Sequence, residues 1–535
     1  MTSQTTGASE FIITPEMLNR CHTEPIHKPG AIQDHALLLA CDPQGVIIQV
    51  SANSQAWLDI PPERLVGRSL AMLLPRAVVA LMALPVVDEA GHPELLDLGE
   101  HTLADDSIIR PLWWGVRRAR VMILEVEQVD PRPEAMQPLA DEPILTVGDD
   151  KQAAQSAIAQ LAPDIGYDRV LAYAFFPGGE GEVIAEAVAP DLEPFLGLRY
   201  PASDVPEQVR ALALRTPLRV LADATRNPVA LVPDLPVGCA DQLDLGLGMV
   251  RSQSPMYRQY LRNMDIRGTM SASVVVGGRL WGLLICNHRD ARRPGLAERN
   301  RLKAVAAALG RRLAFMEQQL DETLEARCLA LIAPLAKHPG ELTQWMDGLT
   351  RQAEELLRLV HASGFAVVTP ERILTLRNAP VPAAIRTALT TSGPTIIHDG
   401  SNRALAVALH SALGGTGGLC GMLAVPVGRD TGISLCWFRP EHNHEITWAG
   451  DMSELGKSIT RRPDGVPVFS PRRSFAAWTQ QVRGLSRPWT RRDRRSANVL
   501  AELLGNVLQC GPPVTRPHFK PFDTPTISTS PETRA

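Results

Sequence analysis

The chain has 535 residues, of which 45% are hydrophobic and 21% charged, close to the average of globular proteins. This composition excludes a wholly disordered, collagen-like or disulfide-scaffold protein. With 54 Lys and Arg residues against 58 Asp and Glu residues, the formal net charge is −4, and this balance gives no indication of a nucleic-acid or anionic-membrane partner.

At about 150 residues per domain, the length predicts about three or four domains. No apolar run approaches the ~20 residues that are needed to span a bilayer. Residues 1–15 also lack the basic and apolar regions of a secretory signal. We therefore expect a soluble, cytoplasmic protein without a membrane or nucleic-acid partner.

The cysteines are scattered, with no CxxC pair and no Cys/His zinc spacing. They are Cys21, Cys41, Cys239, Cys286, Cys328, Cys420, Cys436 and Cys510. This pattern predicts free thiols in a reducing compartment and no metal site.

The polar, turn-rich residues 1–34 predict a flexible N-terminal arm. The stretch ALLLACDPQGVIIQVS then predicts two short strands around a turn at Asp42–Gly45. Residues 110–130 predict a strand, a turn and a closing strand. Together these elements predict a small α/β domain, which is followed by a Pro-rich linker.

After the linker, residues 151–162 predict a helix, and residues 168–189 predict two strands. Residues 271–288 predict a hairpin that turns at two adjacent glycines. A long helix begins at Glu298. Its apolar stripe serves either as a seam between copies or domains, or as a packing face on its own domain. The stripe comprises Leu302, Val305, Leu309, Leu313, Met316 and Leu320.

A third unit follows, over residues 325–510. Residues 421–441 have strand character, and residues 491–508 predict a helix. Between them, residues 448–474 lack periodicity over more than about 20 residues, and segments of that kind are usually functional or disordered.

The sequence contains no P-loop, GxSxG, HExxH or strand-to-helix GxGxxG motif, and no histidine-kinase boxes. We therefore expect a sensory module rather than an enzyme, with no kinase transmitter in this chain. From composition, periodicity and motifs alone, the prediction stops at a multi-domain protein of mixed α/β (α+β) fold.

Five segments carry a more specific signal. They are CHTEPIHKPGAIQDHALLLACDPQG from Cys21, GLRYPASDVPEQVRALALRTPLRVLAD from Gly197, RSQSPMYRQYLRNMDIRGTMSASVVVGGRLWGLLICNH from Arg251, WFRPEHNHEITWAGD from Trp437 and PRRSFAAWTQQVRGLSRPW from Pro471. In this order and spacing they resemble the photosensory module of bacteriophytochromes. Those proteins are red/far-red photoreceptors with PAS, GAF and PHY domains and a covalently bound linear tetrapyrrole, or bilin.

The resemblance implies three domains, each a central antiparallel sheet flanked by helices. The N-terminal arm would carry the chromophore cysteine and thread through the GAF domain as a knot, an exception to the rule that chains are unknotted. The implied domains are PAS at 35–130, GAF at 140–322 and PHY at 323–511, with a tongue at about 437–478 and a disordered tail at 512–535.

In the family, the chromophore is attached through a cysteine four residues before a Pro-Ile-His, which here is Cys21. A thioether forms when a thiolate adds to a vinyl group, so the thiol must be accessible and partly ionised. Without the resemblance, Cys21 would be a free thiol in a flexible terminus. The family position for attachment of phycobilins is occupied here by Met256. This favours biliverdin, with phycocyanobilin as the alternative.

The PASDVP motif resembles the family's PASDIP. It implies that the main-chain carbonyl of Asp204 accepts hydrogen bonds from the pyrrole N–H groups, while the nearby carboxylate favours the protonated pigment. The same Ser-Asp before a proline is also typical of an N-cap for a helix at 207–215. The two roles are compatible.

The two propionates of a bilin need cationic partners, and Arg219 and Arg251 match the family's clamps. The guanidinium fork suits a carboxylate. Ser271 and Tyr260 match supporting contacts in the family.

Tyr173 and Tyr200 match aromatic residues around the isomerising D ring, although core aromatics of a sheet would look the same in the sequence. The PRRSF motif matches the family's tongue and implies a breakable ion pair between Arg472 and Asp204 in the dark state. The alternative for Arg472 is a solvated loop charge.

Two departures from the family concern pocket histidines. Tyr257 stands where the family usually has one histidine, and Asn287 stands where a second would hydrogen-bond the D-ring carbonyl. By strand alternation, the neighbouring His288 should point to the opposite side. Loss of two imidazoles predicts an atypical chromophore pKa, spectrum or photoproduct. A smaller departure is IQDHA at 32–36, where the family has IQPHG.

The resemblance implies that light isomerises the methine bridge between the C and D rings and that the tongue then refolds between two packings. Long helices would pass the change to an output partner or to a transmitter domain outside this chain, and a homodimer through the GAF and PHY helices is expected. Two alternatives stay open. One is a bilin-binding protein without photoswitching, and the other is a PAS/GAF regulator that senses a small ligand.

Overall fold

The computed structural model of the chain describes residues 25–88, 91–130, 149–235, 242–335, 342–392, 396–398, 418–428, 431–451, 459–461, 467–469, 474–482 and 485–510. By its contacts the chain divides into two compact units. The first comprises residues 1–317 and 445–480, and the second comprises residues 318–444 and 481–535. No helix within the described ranges has the length and apolar character required to cross a bilayer.

The elements of the first part of unit one are short strands with small helices between them. They are β1 (Ala31–Ile32), β2 (Ala36–Cys41), β3 (Ile47–Ser51), α1 (Ser54–Leu58), α2 (Pro62–Leu65), the 3₁₀ turn Leu70–Met72, α3 (Pro75–Ala83), β4 (Glu94–Leu96), β5 (His101–Thr102), β6 (Ile108–Ile109), β7 (Leu112–Arg117) and β8 (Met122–Glu127).

The turn between β2 and β3 forms where the sequence predicts it. The Asp42 carboxylate accepts hydrogen bonds from the main-chain N–H groups of Gln44, at 3.0 Å, and Val46, at 2.8 Å. Gly45 has a φ of +82°, a conformation that glycine adopts without steric cost. The predicted strand–turn–strand at β7 and β8 is also confirmed.

The first sheet includes a strand from much later in the chain. Over the described residues its strand order is β1-β13-β3-β2-β8-β7-β4, and β13 is Val229–Val232. In this sheet β13 lies between β1 and β3. Strand β2 is therefore buried on both faces, by the helices on one side and by Leu231, Leu243 and Leu245 on the other.

The described part of the N-terminal arm, residues 25–34, is fixed against the same late segment, so the prediction of a flexible arm is wrong for these residues. The side-chain amide of Gln33 donates to Val220 O at 2.9 Å and accepts from Ala222 N–H at 2.9 Å. Asp34, at the position where the family has proline, accepts a hydrogen bond from Arg226 at 2.7 Å. The knot itself stays a prediction.

The second sheet is built on longer strands. Its elements are α4 (Asp150–Ile165), β9 (Arg169–Phe175), β10 (Gly181–Val188), β11 (Arg199–Tyr200), α5 (Glu207–Arg215), β12 (Leu218–Leu221), α6 (Pro255–Asn263), β14 (Gly268–Val276), β15 (Arg279–His288) and α7 (Leu296–Ile332). Among the described residues the strand order is β12-β14-β15-β9-β10-β11-β21-β24. The last two strands, β21 (His444–Ala449) and β24 (Ala477–Val482), come from the predicted tongue region.

The hairpin of β14 and β15 confirms the prediction for 271–288. It turns at Gly277 and Gly278, both with positive φ. On α7 the first four residues of the apolar stripe are buried in the core of their own domain and Met316 packs partly buried against it, whereas Leu320 is 40% exposed. The stripe therefore begins as an ordinary packing face and ends as exposed apolar surface.

Unit two contains a third sheet of order β17-β16-β20-β19-β18, as far as the described residues show. Its elements are α8 (Leu342–Arg351), α9 (Ala353–Leu359), β16 (Gly364–Val368), β17 (Ile373–Arg377), α10 (Pro382–Ser392), β18 (Ile396–His398), β19 (Leu419–Pro426), β20 (Ser434–Pro440) and α11 (Arg491–Cys510). A separate hairpin joins β22 (Ile459–Arg461) and β23 (Pro467–Phe469).

The fold class is confirmed: three mixed helix-and-sheet domains, each built on a mainly antiparallel sheet. One detail differs from the prediction, because β11 and β21 pair in parallel through Arg199 and Trp448. A pairing of strands so far apart in the chain leaves no local pattern in the sequence.

Candidate functional site

The second sheet has one apolar and one polar face, because its strands alternate. On β14, Met270, Ala272 and Val274 enter the core between the sheet and helices α4 and α7. The residues between them point the other way, and directly paired residues share a face. Register pairs Arg219 with Ser271, Thr269 with Asn287, and Tyr173 with Leu283. The polar face thus collects five of the residues singled out in the sequence: Tyr173, Arg219, Ser271, Asn287 and, through β11, Tyr200.

Asn287 and Tyr257 occupy the two positions where the family has histidine, and Asn287 is hydrogen-bonded to Thr269. The Thr269 hydroxyl donates to Asn287 Oδ1 at 2.8 Å. Thr269 and Asn287 are 6% and 7% exposed. Burial raises the pKa of Tyr257 to about 12, with the Thr269 contact acting in the opposite direction. The phenol therefore stays neutral at physiological pH.

Asp204 lies in the loop before α5. Its carboxylate accepts a hydrogen bond from the Tyr260 hydroxyl at 2.9 Å. The N-cap of α5 is Pro206, and no side chain caps that helix. The capping role considered for the Ser-Asp pair is therefore wrong, and the Asp204 carboxylate is directed to Tyr260 instead.

A cluster of aromatic rings closes the far end of the polar face. Tyr173 and Tyr200 are each 5% exposed, and their ring centroids are 5.8 Å apart. They pack with Ala449 of β21, and Phe475 is partly buried in the same cluster. The Phe475 ring also meets Tyr260 edge-on, with centroids 5.0 Å apart.

Three guanidinium groups form the cationic part of the site. Arg251 is 4% exposed, and its Nε has no hydrogen-bond partner although it is buried. Within the described part of the chain, no carboxylate lies within ion-pair distance of Arg219. Burial and then the charges of Arg251 and Arg215 lower the pKa of Arg219. Burial lowers the pKa of Arg251 to about 10, against the opposing effect of Asp244 and Glu125.

The N-terminal arm reaches this cationic cluster. Arg251 Nη1 donates to the main-chain carbonyl of Ile26 at 2.5 Å, and Leu245 N–H donates to His27 O at 2.8 Å. Cys21 and Arg472 lie outside the described residues, so their contacts stay predictions. His288, next to Asn287, has its Nδ1 3.4 Å from the Asp168 carboxylate.

Three residues at the candidate site were missed in the sequence. Thr269 is hydrogen-bonded to Asn287, and its signal was its place two residues before Ser271 on the same strand face. Phe475 was quoted only as part of a motif. Gly181 had no signal at all, yet a Cβ there would lie 2.1 Å from the Tyr173 ring.

Comparisons with known proteins match this architecture. Family models match residues 21–100 (PAS fold), 150–313 (GAF domain) and 330–511 (Phytochrome region). A bacteriophytochrome of Xanthomonas campestris pv. campestris is 31% identical over 513 residues, which cover 92% of this chain and 79% of the relative. One of Pseudomonas aeruginosa is 30% identical over 502 residues, and the match covers 91% of this chain and 66% of that relative.

Solved structures show the same likeness. Bacteriophytochrome RpBphP3 from the photosynthetic bacterium R. palustris aligns with a TM-score of 0.76 and 29% identity, over 92% of this chain and 99% of the other. The photosensory core module of the Stigmatella aurantiaca phytochrome aligns with a TM-score of 0.72 and 27% identity, over 90% and 96%.

PAS, GAF and PHY regions in this order define a phytochrome photosensory module, and all three matched domains are sensory. The chain belongs to the bacteriophytochrome family, the red/far-red photoreceptors whose chromophore is a bilin.

Proposed function

We propose that this chain holds biliverdin on the polar face of the second sheet, attached through Cys21, and that it switches between two light-dependent states. The observation that carries this proposal is the cationic cluster. A buried guanidinium without an ionic partner is unfavourable, and here the charge of Arg251 adds to burial in lowering the pKa of Arg219. The carboxylates of a bilin supply the missing negative charge.

The two arginines would bind the propionates, because a planar guanidinium accommodates a carboxylate bidentately. Ser271, paired with Arg219 across the β12–β14 ladder, adds a hydroxyl donor next to one carboxylate. The Asp204 main-chain carbonyl would accept from the pyrrole N–H groups. Its carboxylate, held by Tyr260, would favour the protonated pigment.

Covalent attachment through Cys21 is supported by the raised pKa values of other cysteine thiols in the chain. Burial raises the pKa of Cys41, Cys328 and Cys436 to about 12 and also raises that of Cys286, so these four thiols are poor nucleophiles. Ile26 contacts Arg251, and five residues of extended chain span at most about 18 Å. A thiol at position 21 can therefore reach a pigment at the arginines.

Biliverdin is the proposed pigment because Met256 offers no thiol at the phycobilin attachment position. When bound, the pigment supplies a bond between its C and D rings that light isomerises. Tyr173 and Tyr200 would contact the D ring, and their packing against Ala449 and Phe475 would transmit a ring movement to residues 437–478, the proposed tongue. Arg472 would pair with Asp204 in the dark state.

The whole proposal is tested by the visible absorption of the purified protein. The chain is expressed with a biliverdin source, and we expect a covalent red-absorbing holoprotein that fluoresces with zinc on a denaturing gel and changes its spectrum under red light. Cys21→Ala should abolish the covalent band. A chain that stays colourless contradicts the proposal, and a coloured chain with no light response indicates a bilin-binding protein without switching.

The proposed Arg472–Asp204 pair has a matched control in the same motif. We expect Arg472→Ala to assemble normally and to change the yield or lifetime of the photoproduct by about tenfold, as for loss of a buried ion pair worth over 1.4 kcal/mol. Arg473→Ala should behave like the parent. Equal photocycle kinetics in the two variants would refute the pair.

We also propose a cytoplasmic homodimer that acts on an output partner or on a transmitter domain. Its support is the exposed apolar surface of α7, where Phe315 is 49%, Leu320 40% and Leu329 41% exposed. Leu320→Glu should raise the monomer fraction in light scattering, and Thr323→Glu, on the same exposed stretch, should not. An unchanged dimer in Leu320→Glu would exclude this seam.

A further inference from the structure

The Glu125 side chain connects the first sheet to the segment that carries Arg251. Glu125 lies on β8, and by strand alternation it shares with Ile123 the face that residues 243–250 cover. Its Oε2 accepts a hydrogen bond from the main-chain N–H of Met249 at 2.7 Å. A Cβ at Gly248 would lie 2.5 Å from Glu125 Oε1, so the glycine leaves room for the carboxylate. Glu125 therefore holds the main chain two residues before Arg251.

The N-terminal arm holds the same segment at a second point. The main-chain carbonyl of Val250 accepts a hydrogen bond from Gln33 N–H at 2.9 Å. The Arg251 guanidinium donates to Ile26 O at 2.5 Å, while its Nε has no hydrogen-bond partner among the described residues. Arg251 is thus fixed by contacts with Glu125, Gln33 and Ile26, and none of these contacts uses Nε.

The Glu125 carboxylate has little to balance its own charge. Glu125 is 1% exposed, and its Oε1 has no hydrogen-bond partner in the described part of the chain. Its neighbours on β2 and β7 are the uncharged Leu38 and Trp114. Burial and the charge of Glu127 raise the pKa of Glu125 to about 7, against the opposing effects of a main-chain hydrogen bond and of Arg251.

The other carboxylates around Glu125 have ion-pair partners. They are Glu127, with Arg299 and His35, and Asp244, with Arg118 and Arg215. Despite its burial, the pKa of Glu127 is lowered to about 2 by its two partners, so this group stays ionised near neutral pH. Among the three carboxylates, Glu125 is the one without an ion pair within the described ranges.

Glu125 and Arg251 are close enough for their charges to interact. The hydrogen bond to Met249 and the 3.8 Å spacing of consecutive Cα atoms place the carboxylate at most about 12 Å from the Arg251 main chain. Charges interact strongly over such distances when they are buried. The effect is mutual, since Glu125 is among the groups that oppose the lowering of the Arg251 pKa by burial.

We infer that Glu125 is a positioning residue for the pigment: it holds the Arg251 segment in place, and it takes up a proton from solvent when a carboxylate of the pigment binds Arg251. The inference rests on the proposed function, because the second carboxylate belongs to the bilin. Two carboxylates near one guanidinium repel each other, so the bound pigment favours the neutral Glu125. Reciprocally, the anionic form of Glu125 weakens pigment binding. One O–H bond forms on Glu125, and no other bond changes.

Four variants separate the two roles. Glu125→Gln keeps an oxygen for the Met249 N–H but removes the charge and the titration, whereas Glu125→Leu removes the oxygen as well. Arg251→Gln removes the cation that opposes the raised pKa of Glu125. Glu94→Gln, at an exposed position on β4 of the same sheet, is the matched control.

The first measurement needs no pigment. In the apoprotein, the carboxylic-acid C=O stretching band of Glu125 is isolated by infrared difference between a chain and the same chain with Glu125→Gln. We expect the band to disappear with rising pH at a midpoint of about 7 in the parent and at a higher pH in Arg251→Gln. Absence of a titrating band in the parent, or equal midpoints in the two chains, would overturn the coupling.

The second measurement counts protons during assembly with biliverdin. At about pH 7 a group with this pKa is half ionised, so the parent should take up about half a proton per chain more than Glu125→Gln. His27, His35 and the reaction at Cys21 are common to both chains, so their contributions cancel. Glu94→Gln should match the parent. Equal uptake in the parent and in Glu125→Gln would refute the proton-coupled role.

Assembly rates test the same role and the positioning role together. The parent should assemble about tenfold faster at about pH 6 than at about pH 8, in proportion to its neutral Glu125, and Glu125→Gln should vary much less. Glu125→Leu should assemble about fivefold more slowly than Glu125→Gln at each pH, as for loss of one hydrogen bond. Equal rates in these two variants would exclude positioning through Met249.

Failure of this inference is distinguishable from failure of the proposed function. A parent that takes up no biliverdin contradicts the proposed function. The infrared titration of the apoprotein and of Arg251→Gln still decides whether Glu125 and Arg251 are coupled. A parent that takes up biliverdin with the same proton count and pH profile as Glu125→Gln retains the proposed function and overturns the inference.

Discussion

The two faces of the second sheet are formed by the same strands, but one face carries apolar side chains and the other carries polar and charged side chains. On β15, Leu284 and Cys286 are fully buried in a core that α4 and α7 complete. Asn287, one residue further, lies on the face with Thr269, Ser271 and the arginines. The apolar face is completed by the chain itself. On the polar face, the buried Arg251 Nε has no hydrogen-bond partner among the described residues, as expected if the proposed pigment lies there.

This difference separates the residues that stabilise the fold from those that the proposed function assigns to the pigment. Burial of apolar side chains stabilises the folded state at about 25 cal/mol per Å². Neighbouring guanidinium groups do the reverse, because each adds a desolvation cost and repels the next. A sheet that combines both faces is stable enough on one side to tolerate an unfavourable arrangement on the other.

The largest effect is expected from a charge on the apolar face. Ala272 is 2% exposed, and an aspartate there would be buried with no partner, which costs several kcal/mol. We expect Ala272→Asp to give little soluble, cooperatively melting protein. Ser271→Asp, one residue away on the polar face, should fold. Similar yields and melting curves for both variants would show that the faces do not differ in this way.

A smaller and opposite effect is expected at Arg219. Arg219→Met removes one of three neighbouring cations, so the melting temperature of the apoprotein should stay equal or rise, while biliverdin assembly slows at least about tenfold from the loss of a charge-assisted bond. Arg279→Met, an exposed position that pairs with Glu317, is the control. A destabilised apoprotein with unchanged assembly would assign Arg219 to the fold.

Restoring the family's histidines should add a pH response. Tyr257 stays neutral below its pKa of about 12, so this position carries no charge change near neutrality. A histidine has an ordinary pKa of about 6.5 and is cationic below it. Absorption spectra of Tyr257→His and Asn287→His should therefore change between about pH 5 and 8, unlike the parent. Spectra and photoconversion identical to the parent at every pH would disprove the prediction.

The smallest effect is expected from Cys286, the neighbour of Asn287. Cys286→Ala leaves a small cavity on the apolar face and should lower the free energy of unfolding by about 1 kcal/mol. It should leave the chromophore spectrum unchanged, because its side chain faces away from the polar side. A spectral shift as large as that of Asn287→His would mean that the two faces are coupled.

Local features of the fold could be predicted from the sequence. The Asp42–Gly45 turn and the glycine turn of the β14–β15 hairpin depend on residues within a few positions of each other. Two other features depend on contacts between distant segments. They are the place of β13 in the first sheet and the parallel pairing of Arg199 with Trp448. The hydrophobic periodicity and the composition of the sequence do not encode such contacts.

The candidate site also combines residues that local motifs identify with contacts that depend on the fold. Motifs identified Asp204, Tyr260 and the arginines, because those residue types suit the chemistry of the proposed bilin. Thr269 carried a usable signal, since its alternation with Ser271 puts it on the polar face, but its bond to Asn287 depends on strand register. The bond from Tyr260 to Asp204 depends on how α6 packs on the loop before α5.

The insertion of β13 into the first sheet has a consequence for synthesis on the ribosome. Strands β2, β3, β7 and β8 emerge first, yet β3 has no neighbour on its outer side until residue 232 has been made. Through that interval the nascent chain exposes an open strand edge, a site for wrong pairing with other chains. A fragment that stops at residue 130 would keep this edge permanently, so shortened versions should aggregate where the longer chain does not.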